Sequence, residues 1–164
     1  MSNRKPPADL ADLRARVAAE MQAFQASVDA FDEMAARRLG VSRTDLRCIE
    51  ILVRERRTSP GVLGPALGLT SGGVTAMLSR LERQGYLRRF SHPWDGRRVI
   101  VEVTDQAVTR TQDLYGPIAV DGDDLVHGVR AQDLRVLADF LHDCRELYDR
   151  HLIRVRDGSP PPGS

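Results

Sequence analysis

The sequence predicts a mainly α-helical chain with one small β-hairpin, on three observations. Apolar stripes with helical spacing stand at both ends of the chain. Short helical segments punctuated by Gly and Pro fill the middle. One β-branched run, residues 99–103, follows a polar turn and a shorter strand signal.

The first stripe runs Leu10, Leu13, Val17, Met21, Phe24, Val28, Phe31 and Ala35. Steps of three and four residues place these on one face of a helix of about 30 residues, which Gly40 ends. Ser42 with Asp45 three positions on has the form of a capping box. It opens a second helix carrying Leu46, Ile49, Leu52 and Val53. Thr58, Ser59, Pro60 and Gly61 then break the chain. Pro60 suits the first position of a short third helix capped by Ser59 and reaching Leu67, although Pro65 is poorly placed for its last turn.

Gly68, Leu69 and Thr70 form a tight turn, and Thr70 caps a fourth helix over about 71–84, which Gly85 stops. Its spacing turns Val74, Met77, Leu78 and Leu81 inward and Thr75, Ala76, Ser79 and Arg83 outward. A strand over 86–90, a polar turn over 91–98 and a strand over 99–103 make the hairpin. Thr104 and Asp105 start a fifth helix that reaches Tyr115, where Gly116 and Pro117 interrupt it. Asp121, Gly122, Asp123 and Asp124 read as a loop or the start of a helix. The last helix repeats the long stripe with Leu134, Leu137, Leu141, Cys144, Tyr148, Leu152 and Val155. Residues 1–8 and 158–164, both containing prolines, are expected to be a flexible and a disordered tail.

Nothing approaches the roughly 18 to 20 apolar residues of a membrane helix, and the N-terminus lacks the apolar core of a secretory signal. The two cysteines make no disulfide framework. A cytoplasmic location with no membrane partner is expected. The net charge of +1 conceals a division along the chain. Residues 1–41 balance to zero, residues 42–104 hold eleven Arg against six acids, and residues 105–164 hold seven Arg against eleven acids. A basic centre suits a module that binds a polyanion.

The order of elements points the same way. Two short helices joined by a Gly-containing turn, followed by an Arg-rich hairpin, form a winged helix-turn-helix, which lays its second helix in the DNA major groove. That helix needs a slim, polar outer face, and here it offers Ser71, Gly72, Gly73, Thr75, Ala76, Ser79 and Arg83, while Arg83, and Arg80 beside it, can reach guanine edges or phosphates. Each glycine costs about 1 kcal/mol against Ala in a helix interior, which suggests close backbone approach, while first-turn glycines that are merely tolerated are the plainer reading. The hairpin tip runs His92, Pro93, Trp94, Asp95, Gly96, Arg97, Arg98. Arg97 is long enough to enter the minor groove, and Asp95 can fold the turn and hold an Arg fork. Arg88, Arg89 and Arg98 are expected mainly to neutralise phosphate.

Four stretches of the chain resemble the MarR family of winged-helix regulators. These are residues 44–52 (Thr-Asp-Leu-Arg-Cys-Ile-Glu-Ile-Leu), residues 63–70, residues 74–89 and the wing from Asp95 to Val99 running into Val103, Thr104 and Asp105. The resemblance implies a bacterial transcription regulator, usually a repressor, acting as a homodimer on a pseudo-palindromic operator and often released by a small effector. By motif position Arg97 matches the wing arginine and Asp95 its supporting aspartate. Gly64 and Pro65 depart from the usual Ala and polar residue, which puts the docking of the third helix in question.

Apart from the resemblance, a 30-residue amphipathic helix cannot hide its whole stripe against a central domain of about 65 residues. Residues 9–40 and 117–157 are therefore expected to be dimerisation helices, 41–107 the DNA-binding domain, and 105–116 a link between the lobes. An effector site is expected near Phe24, Phe31 and the second helix.

Catalysis needs convergent groups, and His92, His127, His142 and His151 are scattered. No enzyme, cofactor or metal site is expected. Two alternatives keep the fold and change the role. One is a redox- or metal-responsive regulator using Cys48, or His142 with Cys144 and His151, although Cys144 falls on the apolar stripe as a core thiol would. The other is a winged helix used for protein contacts, which the basic centre disfavours.

Overall fold

The computed structural model describes residues 9–156 and Gly158, so both proposed tails lie outside the described residues apart from Gly158. The chain divides into two units, 1–115 and 116–164. The first holds α1 (Leu10–Leu39), α2 (Arg43–Glu55), β1 (Arg57–Thr58), α3 (Pro60–Leu67), α4 (Ser71–Arg83), β2 (Leu87–His92), β3 (Asp95–Val103) and the beginning of α5 (Asp105–His127); the second holds the rest of α5 and α6 (Ala131–Arg156).

Local chemistry explains most boundaries. α1 ends where Gly40 takes φ +71° and donates its N–H back to the α1 carbonyls of Ala36 and Arg37. The Ser42 box forms as expected, with Ser42 Oγ accepting from the Asp45 N–H at 3.1 Å and Asp45 accepting from the Ser42 N–H at 3.2 Å. Thr70 caps α4 by accepting from the Gly73 N–H at 3.3 Å. Ser59 holds the N-cap position of α3 without a side-chain bond, so Pro60 alone gives that helix its start.

Three expectations about elements need correction. β1 has no counterpart among the expected elements; it exists because Arg56, at φ +64°, turns the chain so that Arg57 and Thr58 pair with Glu102 and Val101 on the free edge of β3. The sheet order is β1-β3-β2, all antiparallel. The wing strands also run further than expected, leaving only Pro93 and Trp94 in the turn.

The third correction concerns α5. It passes through Gly116 and Pro117 to His127, and Asp121, Gly122, Asp123 and Asp124 are helical. Pro117 removes a donor to the carbonyl of Asp113, but both residues are exposed and water can take its place.

The core of the first unit lies between α2, α4 and the sheet. Leu46, Ile49, Leu52, Leu63, Met77, Leu78, Leu81, Leu87 and Val101 are fully buried, and Ala35, Ala36 and Leu39 bring the end of α1 into it. A buried Leu or Ile side chain contributes about 1.5–3 kcal/mol, so this cluster is what holds α4 in place. The α3 docking that Gly64 and Pro65 put in question is close: Gly64 is buried, and a Cβ there would lie 3.4 Å from both the Leu69 carbonyl and Val74.

The long stripes behave differently. On α1, Leu10, Leu13, Val17, Phe24 and Val28 are exposed, and α6 buries none of its residues. Cys144, expected in the core, is half-buried on that helix. Among the described residues no single helix is long and apolar enough to cross a membrane.

Candidate nucleic-acid interface

α4 separates its two faces as the spacing requires. Val74, Met77, Leu78 and Leu81 are buried, while Ser71, Gly72, Thr75, Ala76, Arg80 and Arg83 are exposed and Gly73 and Ser79 half-buried. The hydroxyl of exposed Thr75 donates to the Ser71 carbonyl at 3.0 Å, so its oxygen keeps its lone pairs as acceptors. Nothing lies within 4 Å of where a Gly72 Cβ would be, so the protein itself does not require glycine there. At Gly73 a Cβ would meet Thr70 Oγ1 at 3.4 Å, against the capping bond.

The guanidinium groups sort into two sets. Six of the eleven Arg in residues 42–104 are paired with carboxylates: Arg43, Arg47, Arg54, Arg57, Arg80 and Arg89. Five have no carboxylate partner among the described residues: Arg56, Arg83, Arg88, Arg97 and Arg98. Four of these five lie at the end of α4 or on the wing. The positive excess of the centre is therefore concentrated where the two reading elements are.

Arg80 and Arg89, both expected to meet DNA, are held from within. Arg80 Nε and Nη2 donate to the buried carboxylate of Asp45 at 3.0 and 2.6 Å, tying α4 to the first turn of α2. Burial works to raise the Asp45 carboxyl, but the bonds from Arg80 and Ser42 outweigh it and hold the group below its ordinary value. Arg89 is gripped by Glu82 through its backbone N–H at 2.9 Å and its guanidinium at 2.9 and 2.5 Å. This joins the last turn of α4 to β2, and the Arg89 bonds lower the Glu82 carboxyl. Both arginines fix the relative placement of α2, α4 and the wing. Nothing in the local spacing marks the Asp45–Arg80 pair, whose members stand 35 positions apart.

At the tip, Asp95 Oδ1 accepts the Arg97 N–H at 3.2 Å. The turn-folding role expected of Asp95 is present. The Arg fork is not, because the carboxylate is engaged with backbone and Arg97 extends into solvent. Trp94, unremarked in the sequence pattern, is 90% exposed.

The two aromatic residues expected near an effector do not share a cavity. Phe24 lines a recess of ≈ 420 Å³ formed by α1 alone. Phe31 lines another of ≈ 430 Å³ with Met34, Ala35, Arg37, Arg38 and Leu114. Phe31 also packs edge-on to Tyr115 at 5.3 Å, and the Tyr115 hydroxyl donates to Asp32 at 2.8 Å. Burial, with the Glu50 charge, pushes the Tyr115 hydroxyl up to about 12.

Cys48 is fully buried, and desolvation, with the Asp45 charge, raises its thiol to about 12. A thiol so protonated is a poor oxidant sensor. Among the described residues no three His, Cys, Asp or Glu groups are placed to hold a metal ion.

Comparison with known proteins agrees with this arrangement. The model of the MarR family matches residues 41–99. An HTH-type transcriptional regulator of Bacillus subtilis, YcgE, itself uncharacterised, is 31% identical over 126 residues, covering 77% of this chain and 82% of the relative. Among solved structures, a point mutant of MepR from a multidrug-resistant S. aureus clinical isolate superposes with a TM-score of 0.66 at 13% identity, over 80% of this chain and 96% of that one. NadR in complex with 4-hydroxyphenylacetate gives 0.58 at 18% identity, over 88% and 97%. At such identities the structures speak for the fold alone; the relative and the family match speak for descent. The chain belongs to the MarR family of winged helix-turn-helix transcriptional regulators.

Proposed function

We propose that the chain is a cytoplasmic repressor that binds a pseudo-palindromic DNA operator as a homodimer and is released by a small effector. The observation that carries the DNA reading is the meeting of two features. The slim polar face of α4 stands in the same unit as a wing on which Arg88, Arg97 and Arg98 lack carboxylate partners. Thr75, Ala76 and Ser79 read major-groove edges, with Ser71, Gly72 and Gly73 allowing close approach. Arg97 occupies the flanking minor groove, where the potential is most negative. Arg83, Arg88 and Arg98 neutralise phosphate, and Arg80 and Arg89 support the two elements from within.

Dimerisation accounts for the exposed stripes of α1 and α6, which a twin would cover. Residues 9–40 and 117–157 then form the dimer lobe and 41–107 the DNA-binding domain. Two-fold symmetry sets the recognition helices roughly 34 Å apart, one DNA turn. For the effector, the Phe31 recess is lined by Met34, Ala35 and Leu114 together with Arg38 and with Arg37, which is paired with Glu33; apolar walls beside a guanidinium suit an aromatic acid. NadR, of the same fold, is known bound to one.

The test is selection of duplexes from a random pool with the full chain, followed by binding titrations across salt. Three phosphate-neutralising guanidinium groups per protomer predict a slope of log K against log salt of about −5 for the dimer. Arg97→Ala should weaken operator binding strongly with dimer mass and melting unchanged. A monomer in sedimentation, or no salt-sensitive preference for any duplex, would overturn the reading.

A further inference from the structure

The wing tip carries a feature that the arginines do not account for. His92 pairs with Asp95, so the turn consists of Pro93 and Trp94 alone. Two-residue hairpins normally use turns with positive φ, whose twist matches the strands. Pro93 cannot adopt positive φ, and Trp94 does not. The ladder is irregular just below the turn: Ser91 pairs with Val99 and His92 with Asp95, so Gly96, Arg97 and Arg98 have no partner across the hairpin. Proline stiffens the turn on one side. On the other, the Asp95 carboxylate accepts the backbone N–H of Arg97, and His92 Nδ1 accepts the backbone N–H of Trp94 at 3.3 Å.

At this tip the indole stands 90% exposed, the chain's only tryptophan. Tryptophan brings roughly 150–250 Å² to an interface when buried, and here it covers almost none of its own protein. Around it Arg97 and Arg98 are exposed and without carboxylate partners, and the one nearby acid, Asp95, is committed to the turn. An exposed aromatic set in uncompensated positive charge suits a polyanion that also has apolar edges. The DNA minor groove is such a surface: sugar walls, base edges and flanking phosphates.

We infer that Trp94 enters the minor groove beside Arg97 as an apolar wedge. The base step beneath the wing then becomes a specificity-determining position. This rests on the DNA-binding reading above and adds a residue and a kind of selectivity to it. A wedge partly unstacks the step it enters, so steps that unstack easily, TA and CA/TG, are favoured over a stiff A-tract. Sequence preference would arise there without a hydrogen bond to any base.

Trp94 reports on itself, because 295 nm excitation selects the single indole. The probes are a duplex selected by the full chain and copies in which only the step under the wing is changed from TA to AA. The expected results are a blue shift and protection from acrylamide quenching on binding, and tighter binding of the TA duplex. Trp94→Ala should bind roughly tenfold more weakly and lose the TA preference. Trp94→Phe should recover most of both, and melting of all three proteins should agree. An indole that stays solvent-exposed in a complex that forms, or an Ala variant with unchanged affinity and step preference, overturns the inference and leaves DNA binding standing. A wild-type protein that binds no duplex removes both.

Discussion

The Asp45–Arg80 pair gives the sharpest test of how the reading helix is held. Asp45 is 1% exposed and accepts two bonds from Arg80 at 3.0 and 2.6 Å, while the Arg80 side chain is 44% exposed. A charge-assisted bond contributes about 1.5–3 kcal/mol, and solvent screening on the arginine side cuts the two together to about 2–3 kcal/mol. Arg80→Ala also strands a buried carboxylate, so its full cost is about 3 kcal/mol. Asp45→Ala loses the same two bonds and the cap on the Ser42 N–H, worth about 1 kcal/mol, but strands no buried charge; it too costs about 3 kcal/mol.

The double variant should cost little more than either single one, a coupling of about 2 kcal/mol. Urea unfolding at one fixed protein concentration reads this directly, each single variant moving the midpoint down by about 1–2 M. The sign with pH is also set. The folded Asp45 carboxyl lies below its unfolded value, so its stabilisation is present above about pH 4 and fades as pH falls through the folded value. The gap between wild type and Asp45→Asn should therefore close in acid. A coupling under about 0.5 kcal/mol at neutral pH would show that the pair does not anchor α4.

Three further outcomes follow from features described above. Gly72→Ala meets no obstacle and removes a flexible residue from a helix, so it should raise stability by about 0.5–1 kcal/mol. It should nonetheless weaken operator binding in gel shifts, and undiminished affinity would mean the glycine is only tolerated. Cys48 should resist iodoacetamide at pH 8 in the folded chain and react once urea is added; labelling at the rate of a small thiol would contradict its burial. The Tyr115 hydroxyl, raised from an ordinary value near 10 to about 12, stabilises the fold at neutral pH and loses that contribution as pH climbs from about 10 to 12. Tyr115→Phe should flatten that alkaline loss in melting curves.

Features written in neighbouring residues are legible in the sequence. The Ser42 box, the Thr70 cap, the Gly40 stop and the inward set Val74, Met77, Leu78 and Leu81 each depend on positions within a turn or two, and all are found as expected. Where distant segments decide, sequence reading fails. β1 exists only because β3 offers it an edge. Helix α5 runs through Pro117 because exposure lets water satisfy the carbonyl, a property of surroundings and not of the dipeptide. The interface shows the same divide. Exposed Thr75, Ala76, Arg83, Arg88, Arg97 and Arg98 can be picked out by spacing, whereas the inward commitment of Arg80 to Asp45 cannot. Trp94 escapes notice because a lone aromatic in a polar turn has no periodicity to mark it.

The last turn of α1 is bolted to the reading elements. The Leu39 carbonyl accepts from the Tyr86 hydroxyl at 2.5 Å and from Arg110 at 3.4 Å, and the neighbouring Gly40 carbonyl accepts from Gln84 Nε2 at 3.1 Å. Gln84 caps α4, Tyr86 immediately precedes β2, and Arg110 belongs to α5. The end of α1 therefore cannot slide or rotate alone: it carries the root of the wing and the tail of the recognition helix along, or it breaks three bonds at one joint. Anything that leans on α1 near Phe31, less than three turns upstream, pulls on a linkage whose far arm is the hairpin.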